Sequence, residues 1–428
     1  MSDFQAIIVG SGCAGAVAAY ELARDGKETL VVERGNSNGA KNMTGGRLYS
    51  PALEAIFPDF RDEAPLERRI SHERLSFLTA DACTTIDFSS AALLQNGQDS
   101  YSVLRAPFDA WLSSKAEAAG AEYINGIAVE ELLKDGERVI GIKAGDDEIS
   151  ADVVVLADGC NSLLTESAVG YHRPGPQTLA AGIKQIIALD EQTVSDRTGN
   201  RAGEGTAWLF VGDATKGHTG GGFIYSNRES ISVGLVATLS DLARSPYSLC
   251  QMLEDFKAHP TVEPLLAGGT VVEHSGHMVP EGGLKMMPDL TGDGVLLAGE
   301  SAMICVNLGY RVRGMDYALA AGMHAGRAAA AALDAGDTSR AGLAGYQTAL
   351  EASFVLQDMR QFQRFPHFLE STPRLFREYP EFARDAFNRL FVVDGQPDQP
   401  LTKSLKPLVK SLGYGTLFRD LRKGLKSL

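Results

Sequence analysis

The chain has few cysteines, and their positions exclude several kinds of site. It contains five in 428 residues, with none within four residues of another: Cys13, Cys83, Cys160, Cys250 and Cys305. Disulfide frameworks, zinc sites and iron-sulfur clusters use cysteines at short, repeated spacings. We therefore expect no metal ligands in this chain and a reducing cellular compartment.

The sequence also lacks a long apolar run and a basic leader. No uncharged apolar stretch approaches the roughly 20 residues of a membrane-spanning helix. Basic residues are outnumbered, with 40 Lys and Arg against 54 Asp and Glu and a formal net charge of -14. A surface of that sign repels nucleic acid. These features predict a cytoplasmic protein without a nucleic-acid partner.

The amino-terminal residues have the pattern of a βαβ unit. An apolar run at 4–9 precedes Gly10-Ser11-Gly12-Cys13-Ala14-Gly15, and an alanine-rich segment then leads to a second apolar run at 29–33. In the pattern G-x-G-x-x-G, the first glycine permits a tight turn and the second lets the backbone approach a diphosphate. The third lets helix and strand pack closely. The amino terminus of the helix would then face the phosphates.

An acidic residue stands where such a unit binds ribose. Glu33 lies eighteen residues after Gly15, at the end of the second apolar run. A carboxylate there can accept hydrogen bonds from both ribose hydroxyls and would repel a 2'-phosphate. The alternative is an ordinary glycine turn with a solvated strand end. The register of strand, glycines, helix, strand and acid favours a dinucleotide site.

Three further segments indicate a flavin. In RAPFDAWL, Arg105 is placed to reach a phosphate or ribityl oxygen, or is a surface residue at a helix start. After a predicted strand at 152–156, Asp158 and Gly159 offer cofactor contacts or a helix cap. After a strand at 294–298, Glu300 beside Gly299 can bind a ribityl hydroxyl, and the following helix can point at the phosphates.

The remaining patterns predict a second domain. We expect a helix at 108–120 and strands at 122–127 and 139–144. From 179 to 236, strands alternate with glycine-rich turns, including Gly220-Gly221-Gly222, which predicts an antiparallel sheet that interrupts the dinucleotide domain. A helix at 316–333 and proline-broken helices after 339 complete the chain.

Several long segments resemble one family of flavoproteins. They include ERGNSNGAKNMTGGRLYSPALEAIFPDF, SYSVLRAPFDAWL, VVLADGCNSLL, QMLEDFKAHPTVEPLLAGG and NLGYRVRGMDYALAAG. In these segments the chain resembles FixC-type flavoproteins, relatives of electron-transfer-flavoprotein:quinone oxidoreductase, over nearly its full length. The resemblance implies transfer of electrons from an electron-transfer flavoprotein toward a quinone or a ferredoxin-like protein.

The resemblance also implies the fold. We expect an α/β protein with a glutathione-reductase-type, Rossmann-like FAD domain, an inserted antiparallel-sheet substrate domain and a helical carboxyl-terminal region. The FAD domain is expected at 1–75, 106–175 and 286–338. Substrate-domain strands are expected at 76–105 and the sheet itself at 176–285. The helical region with a basic tail is expected at 339–428.

The family's cofactor contacts can be carried onto matching positions. The implied FAD contacts are Gly10, Gly12, Cys13, Ala14, Gly15, Glu33, Arg34, Lys41, Thr44, Gly45, Gly46, Arg47, Arg105, Asp158, Gly159, Gly299, Glu300, Asn307 and Leu308. Residues expected near the flavin ring are Gly45, Gly46, His277 and Gly282, with a hydrogen-bonded structural role favoured for His277 over proton donation. No acid-base residue is assigned, because electron transfer alone needs none.

One segment departs from the family pattern. Where FixC-type proteins have Gly-Asp-Ala-Ala-Gly, this chain has Gly299-Glu300-Ser301-Ala302-Met303. Met303 replaces a glycine where the backbone is expected to approach the cofactor. One alternative is therefore a non-catalytic binding subunit in which Met303 blocks FAD. Another is an NAD(P)H-dependent reductase or hydroxylase of a bulky apolar molecule.

The tail differs in charge from the rest of the chain. From Leu401 onward, Asp420 is the only acidic residue beside seven basic ones: Lys403, Lys406, Lys410, Arg419, Arg422, Lys423 and Lys426. Leucine and valine alternate with these cations, which predicts an amphipathic surface. It can be a solvated face, a dock for an acidic ferredoxin-like protein, or a contact with anionic lipid at the inner face of a membrane beside a quinone pool.

Overall fold

The computed structural model describes residues 2–40, 46–397 and 399–428. Its strands are β1 (Phe4–Val9), β2 (Thr29–Glu33), β3 (Arg47–Tyr49), β4 (Leu66–Leu78), β5 (Cys83–Ser89), β6 (Ser100–Val103), β7 (Glu122–Asn125), β8 (Val129–Asp135), β9 (Arg138–Ala144), β10 (Asp147–Leu156), β11 (Leu179–Ala188), β12 (Glu204–Gly212), β13 (Gly220–Ser226), β14 (Ser230–Thr238), β15 (Thr270–Pro280), β16 (Thr291–Gly292), β17 (Val295–Leu297), β18 (Val306–Asn307) and β19 (Val312–Arg313).

The α-helices lie between and after these strands. They are α1 (Cys13–Arg24), α2 (Ser50–Ile56), α3 (Phe60–Glu63), α4 (Arg105–Ala118), α5 (Leu164–Val169), α6 (Glu191–Thr198), α7 (Leu239–Leu242), α8 (Leu249–Lys257), α9 (Glu263–Leu266), α10 (Met315–Asp334), α11 (Gly345–Ala352), α12 (Phe354–Gln361), α13 (Phe365–Glu370), α14 (Glu378–Phe391), α15 (Leu401–Leu412) and α16 (Tyr414–Ser427).

A mainly parallel sheet forms the first layer. Its central order is β16-β17-β10-β1-β2-β7, and β1, β2, β7, β10 and β17 run parallel. Strands β1, β2 and β17 are largely apolar and buried on both faces, and Ile7 and Ile8 are fully buried. The carboxyl ends of β1, β2, β10 and β17 lead directly into Gly10, Arg34, Ala157 and Ala298. Three of the predicted cofactor segments therefore meet at one edge of the sheet.

Helices α1 and α10 pack closely because two glycines of α10 have no side chain at the contact. A Cβ on Gly322 would lie 2.2 Å from the Ala14 carbonyl oxygen, and one on Gly326 would lie 2.7 Å from that of Ala18. The prediction of a long helix at 316–333 is confirmed by α10. That its glycines face α1 was not predictable from the sequence, because the contact joins residues about 300 positions apart.

A nine-stranded sheet forms the second layer. Its order is β15-β11-β14-β13-β12-β4-β6-β3, with β5 paired to β4. The sheet is antiparallel except where β4 and β12 run parallel, at pairs such as Arg69 and Glu204. Antiparallel pairing dominates, as predicted. Strand β4 comes from the first part of the chain, so a long connection separates it from its partner β12.

The glycines at 220–222 were predicted to form a turn, and that prediction is wrong. All three lie in β13, paired with β14. A Cβ on Gly222 would meet the Phe256 ring at 2.9 Å, and one on Gly221 would lie 2.5 Å from the Phe210 carbonyl oxygen. The glycines make room for neighbouring groups rather than for a change of chain direction.

The predicted local elements between residues 100 and 160 are present, with one addition. Helix α4 and strands β7, β9 and β10 match the predictions within a few residues, whereas β8 was not predicted. Strand β3 and most of β4 fall within the predicted first part of the FAD domain, yet both pair in the nine-stranded sheet. The division of the chain into domains stays a prediction.

The carboxyl-terminal region is helical from α11 to α16. Both α15 and α16 place apolar side chains on one face and cations on the other, as the alternation in the sequence predicts. Across 2–40, 46–397 and 399–428, every helix is too short or too polar to cross a bilayer.

Candidate functional site

A cavity of about 1380 Å³ separates the two sheets and extends to the carboxyl-terminal helices. Most of the predicted cofactor residues line it: Gly10, Gly12, Cys13, Ala14, Glu33, Arg34, Gly46, Arg47, Arg105, Asp158, Gly159, His277, Gly299, Glu300, Asn307 and Leu308. Lys41, Thr44 and Gly45 lie outside the described residues. Gly15 and Gly282 are set back from the lining, as the following paragraphs explain.

The glycine turn after β1 is held by close backbone packing. Gly10 has a φ of +93°, and a Cβ there would lie 2.6 Å from the carbonyl oxygen of Ala157. A Cβ on Gly15 would lie 1.9 Å from the carbonyl oxygen of Gly10. Gly15 thus allows α1 to start against the turn, although it does not touch the cavity. Side chains at either position would displace the helix.

The amino terminus of α1 is open toward the cavity. Its N-cap residue is Gly12, and no side chain of the described residues caps it. Free N–H groups and the positive end of the helix dipole attract a phosphate. The turn therefore fits a diphosphate, which would satisfy those donors.

Glu33 holds the same turn from the end of β2. Its side chain accepts hydrogen bonds from the backbone N–H groups of Ser11, at 2.9 Å, and Gly35, at 2.7 Å. The residue is only 7% exposed and lines the cavity. Each carboxylate oxygen retains a second lone pair for an incoming hydroxyl. This arrangement fits a ribose beside the diphosphate position.

A serine links two of the predicted cofactor segments. The Ser301 hydroxyl donates to Oδ1 of Asp158 at 2.9 Å and accepts from the Gly159 N–H at 2.9 Å. Burial raises the pKa of Asp158. Asp158 does not cap α5, because the Ser162 hydroxyl accepts from the first N–H groups of that helix. The cap considered for Asp158 is therefore corrected, and Ser301 is a site residue that the sequence reasoning missed.

Arg105 is paired inside the protein rather than on its surface. Its Nε and Nη2 donate to Oδ1 and Oδ2 of Asp109 at 3.0 and 2.8 Å. Burial opposes the charge, but Asp109 outweighs it and keeps the pKa of Arg105 above the usual arginine value. Nearby, burial raises the pKa of the Cys13 thiol to about 12. Cys13 is thus neutral at physiological pH, and Arg105 stays protonated at the cavity wall in its ion pair with Asp109.

Gly46, just before β3, and Arg47, the first residue of β3, line the cavity. A Cβ on Gly46 would lie 2.8 Å from the Tyr225 ring, so only glycine fits there. Arg47 donates through Nη1 to Glu73 at 2.7 Å and through Nη2 to the Ser100 hydroxyl at 3.0 Å. The guanidinium of Arg47 lines the cavity while it holds β3 against its neighbours.

Met303 does not obstruct the cavity. Its φ is +57°, the left-handed conformation that glycine adopts without strain. The side chain is 1% exposed and packs with Cys160, Leu179 and Met286, away from the lining that the described residues form. The structure therefore gives no support to a fold in which Met303 blocks the cofactor.

Two carboxylates face the cavity near the end of β15. His277 Nε2 donates to Glu300 Oε2 at 3.1 Å, which agrees with a hydrogen-bonded histidine. Glu281 accepts from Asn307 Nδ2 at 3.2 Å. In this turn Glu281 lines the cavity, whereas Gly282 packs against Thr178 and Met286. The sequence reasoning included Glu281 in the segment 277–283 as one that can face the flavin ring or an acceptor, but it assigned Glu281 no role of its own.

The far end of the cavity is apolar. It is lined by side chains of the nine-stranded sheet, of helices α14 and α16 and of the segment before α14, including Phe77, Ile86, Phe210, Phe376, Phe382, Phe387, Leu417, Phe418, Leu421, Leu425 and Leu428. Several of these are also open to solvent, with Phe418 at 69%, Leu421 at 62% and Leu425 at 69% exposure. The cavity thus runs from the glycine turn to an exposed apolar face.

Comparisons with known proteins agree with this geometry. A model described as an FAD binding domain matches residues 3–204, and the ETF-QO/FixC family C-terminal domain matches 365–428. The chain is 46% identical to the "Probable electron transfer flavoprotein-quinone oxidoreductase YdiS" of Escherichia coli, over 100% of both chains. It is 47% identical to Protein FixC of Escherichia coli strain K12, over 99% of each.

Solved structures with the same fold have low sequence identity. A geranylgeranyl bacteriochlorophyll reductase-like protein from Thermoplasma acidophilum matches with a TM-score of 0.73 at 18% identity, over 98% of this chain and 99% of that one. The flavin-dependent brominase Bmp2 matches with a TM-score of 0.63 at 16% identity, over 95% and 98%. These likenesses show the predicted α/β fold alone. The two E. coli relatives and the two domain matches place this chain in the ETF-QO/FixC family of FAD-dependent oxidoreductases.

Proposed function

We propose that this protein takes electrons from an electron-transfer flavoprotein onto bound FAD and passes them to a quinone at a membrane surface. The donor and acceptor follow the names of its relatives. The observation that carries the choice of acceptor is the continuous cavity, polar at the glycine turn and apolar at the carboxyl-terminal helices. A ferredoxin-like protein is the other acceptor suggested by the sequence.

The residues at the polar end would hold the cofactor. The open amino terminus of α1 would bind the diphosphate and Glu33 the adenosine ribose. Asp158, fixed by Ser301, lies in the turn after β10, which also lines the cavity. When bound, FAD supplies two-electron redox chemistry that no side chain provides. Arg105, held charged by Asp109, is a further group of the cavity wall that would contact the cofactor.

The apolar end suits a quinone with a hydrocarbon tail. Such a tail needs an apolar channel that opens toward lipid, since its transfer to water is costly. Ile86, Phe387 and Leu428 line the cavity and are exposed at 60%, 41% and 42%. A small soluble acceptor would not require this opening.

The surface around that opening fits anionic lipid. Lys403, Lys406, Lys410, Arg419, Arg422 and Lys426 are exposed on α15 and α16. Phe391, Val392 and Val393, at the end of α14, are 75%, 67% and 87% exposed. Apolar side chains flanked by cations are typical of helices that lie in the membrane interface. We infer that the protein works in the cytoplasm, peripheral to the inner face of the membrane.

Half-reactions measured separately test the proposal. Stopped-flow absorbance would follow reduction of the bound FAD by reduced electron-transfer flavoprotein. It would then follow reoxidation of the FAD by a short-chain quinone or by an oxidised ferredoxin. We expect fast reduction by the flavoprotein and reoxidation by the quinone. If ferredoxin reoxidises the FAD and quinone does not, the acceptor is a ferredoxin-like protein and not a quinone.

The same instrument tests the other enzymatic alternative. If NAD(P)H reduces the FAD rapidly and every electron-transfer flavoprotein fails, the protein is a reductase or hydroxylase of a bulky apolar molecule. The apolar end of the cavity would then bind that molecule instead of a quinone.

A further inference from the structure

Glu281 stands in the cavity wall without a basic partner among the described residues. Glu281 follows β15, and its backbone N–H donates to the Thr178 carbonyl at 2.8 Å, which fixes the turn. Its Oε1 accepts from Asn307 Nδ2 at 3.2 Å. No lysine, arginine or histidine of the described residues lies within ion-pair distance of it.

The orientation of Asn307 is set by a second bond. Its Oδ1 accepts from the Gly309 N–H at 2.8 Å, so the Nδ2 group must point toward Glu281. A carboxylic acid and a carboxylate can both accept from this amide. The bond therefore positions Glu281 in the cavity in either protonation state and leaves Oε2 available to a ligand.

The groups that face Glu281 favour the protonated form of its carboxyl group. Glu300, on the turn after β17, is the charged group that acts on it, and the thiol of Cys305 is also close. Burial, aided by the charge of Glu300 and opposed by the Asn307 bond, raises the pKa of Glu281 to about 7. His277 is engaged with Glu300. A group that titrates near physiological pH can both give and take a proton there.

A quinone acceptor needs what Glu281 can offer. Reduction to the quinol adds two electrons and two protons, and the protons must reach carbonyl oxygens inside an apolar cavity. Bulk water reaches such a place poorly, so a side chain that holds a proton at the wall lowers the barrier.

We propose that Glu281 is a catalytic proton donor for reduction of the quinone, an inference that rests on the proposed function. Glu281 gives its proton to the nearer quinone oxygen as two electrons arrive from reduced FAD. Bound FADH2 would supply two electrons and two protons, of which one proton would restore Glu281 and the other would reach the second quinone oxygen. The step balances as FADH2 + quinone → FAD + quinol, with no further reductant.

The variant Glu281→Gln tests this role, because glutamine keeps the size and the bond to Asn307 but carries no acidic proton. Glu263→Gln, at an exposed carboxylate on α9, is the matched control. Stopped-flow reoxidation of the reduced holoenzyme would be measured with a short-chain quinone and with ferricenium, which takes one electron and no proton. We expect Glu281→Gln to slow reoxidation by quinone about 100-fold and to leave reoxidation by ferricenium unchanged.

A spectroscopic measurement gives a readout that is independent of turnover. Infrared difference spectra of the oxidised holoenzyme between pH 5 and pH 9 should show a protonated-carboxyl band that titrates near neutral pH. The band should persist in Glu263→Gln and vanish in Glu281→Gln. Persistence of the band in Glu281→Gln would overturn the proposal, as would an unchanged quinone rate or equal slowing with both acceptors.

Failure of the proposed function has a different signature. In that case the wild-type FAD is not reduced by electron-transfer flavoprotein or not reoxidised by quinone, and the proton-donor role falls with it. If the wild type performs both half-reactions and Glu281→Gln matches it, only the role of Glu281 is lost.

Discussion

At the scale of single residues, the departures from the family pattern after β17 have separate physical consequences. Glu300 keeps a carboxylate that reaches His277. Ser301 adds a hydroxyl that joins Asp158 to Gly159. Met303 takes a left-handed backbone conformation and fills a small apolar cluster. The substitutions therefore reorganise the wall of the cavity without closing it.

Ser301→Ala should weaken FAD binding. The change leaves the buried Asp158 without its hydroxyl donor and frees the Gly159 N–H, at a cost of about 1 kcal/mol in binding. We expect the Kd for FAD to rise about fivefold in a fluorescence titration of the apoprotein. Ser411→Ala, at an exposed helical serine, is the control and should leave the Kd unchanged. Equal affinity of both variants and wild type would show that the hydroxyl link does not support the site.

Glu281→Gln should also change the pH dependence of stability. Since the folded protein raises this pKa from 4.5 to about 7, the stabilising contribution of Glu281 is complete below pH 4.5 and is lost as pH rises through 7. Removing the group should thus stabilise the protein at pH 8 relative to wild type, by about 1–3 kcal/mol more than at pH 5. Urea unfolding at the two pH values measures this. If the free energies of unfolding of variant and wild type differ by the same amount at pH 5 and at pH 8, the pKa of Glu281 is not raised.

At the scale of elements, the cofactor site depends on how α1 meets α10. The glycine turn and the open end of α1 are local features, but α1 keeps its place because Gly322 and Gly326 let α10 approach its backbone. An ion pair between the buried Glu21 and the exposed Arg327, with Nε to Oε2 at 3.1 Å, ties the same two helices together. A helix displaced here would move the N–H groups that face the diphosphate position.

Gly322→Ala should destabilise the protein and weaken FAD binding together. The added Cβ would stand 2.2 Å from the Ala14 carbonyl oxygen, so α10 must shift away from α1. Overpacking of this kind costs about 1–3 kcal/mol, which thermal unfolding of the holoenzyme would detect as a lower Tm. Gly345→Ala is the matched control, since its Cβ meets nothing within 4 Å and alanine suits a helix better. A Tm equal to that of wild type for Gly322→Ala would show that the helices are not in close contact.

At the scale of the whole molecule, charge and apolar surface are concentrated at one end. The chain has a formal charge of -14, yet its last two helices are basic around an exposed apolar face. Helix α16 is fixed to the protein by Asp420, which accepts from Arg374 Nε and the Tyr379 hydroxyl, both at 2.8 Å. The apolar face of α16 is thereby held beside the mouth of the cavity.

The double variant Leu421→Asp, Leu425→Asp should release the protein from lipid. Two carboxylates on the exposed face oppose both apolar insertion and attraction to anionic headgroups. We expect binding to vesicles of phosphatidylglycerol and phosphatidylcholine, measured by co-sedimentation, to weaken about tenfold or more. Reduction of FAD by electron-transfer flavoprotein should stay at the wild-type rate.

Val272→Asp provides the control for that experiment, because Val272 is 63% exposed on strand β15 of the nine-stranded sheet. This variant should bind vesicles as wild type does. If both variants lose binding equally, or neither does, α16 is not the lipid contact.

The sequence alone determined the βαβ unit, the glycine turn, the position of Glu33 and the family. Each depends on residues close together in the chain, where strand and helix periodicity and backbone conformation are encoded locally. Helix α10 and the basic amphipathic tail were predictable for the same reason.

Only the tertiary structure decided which distant groups meet. Ser301 bonds to Asp158 across 143 positions of the chain. The three glycines predicted as a turn lie in β13, because Phe210 and Phe256 approach them and leave no room for side chains. Whether Glu281 is exposed or stands in a cavity wall depends on how β15 lies against the turn after β17. Such contacts are set by the packing of whole layers, and no local pattern in the chain carries that information.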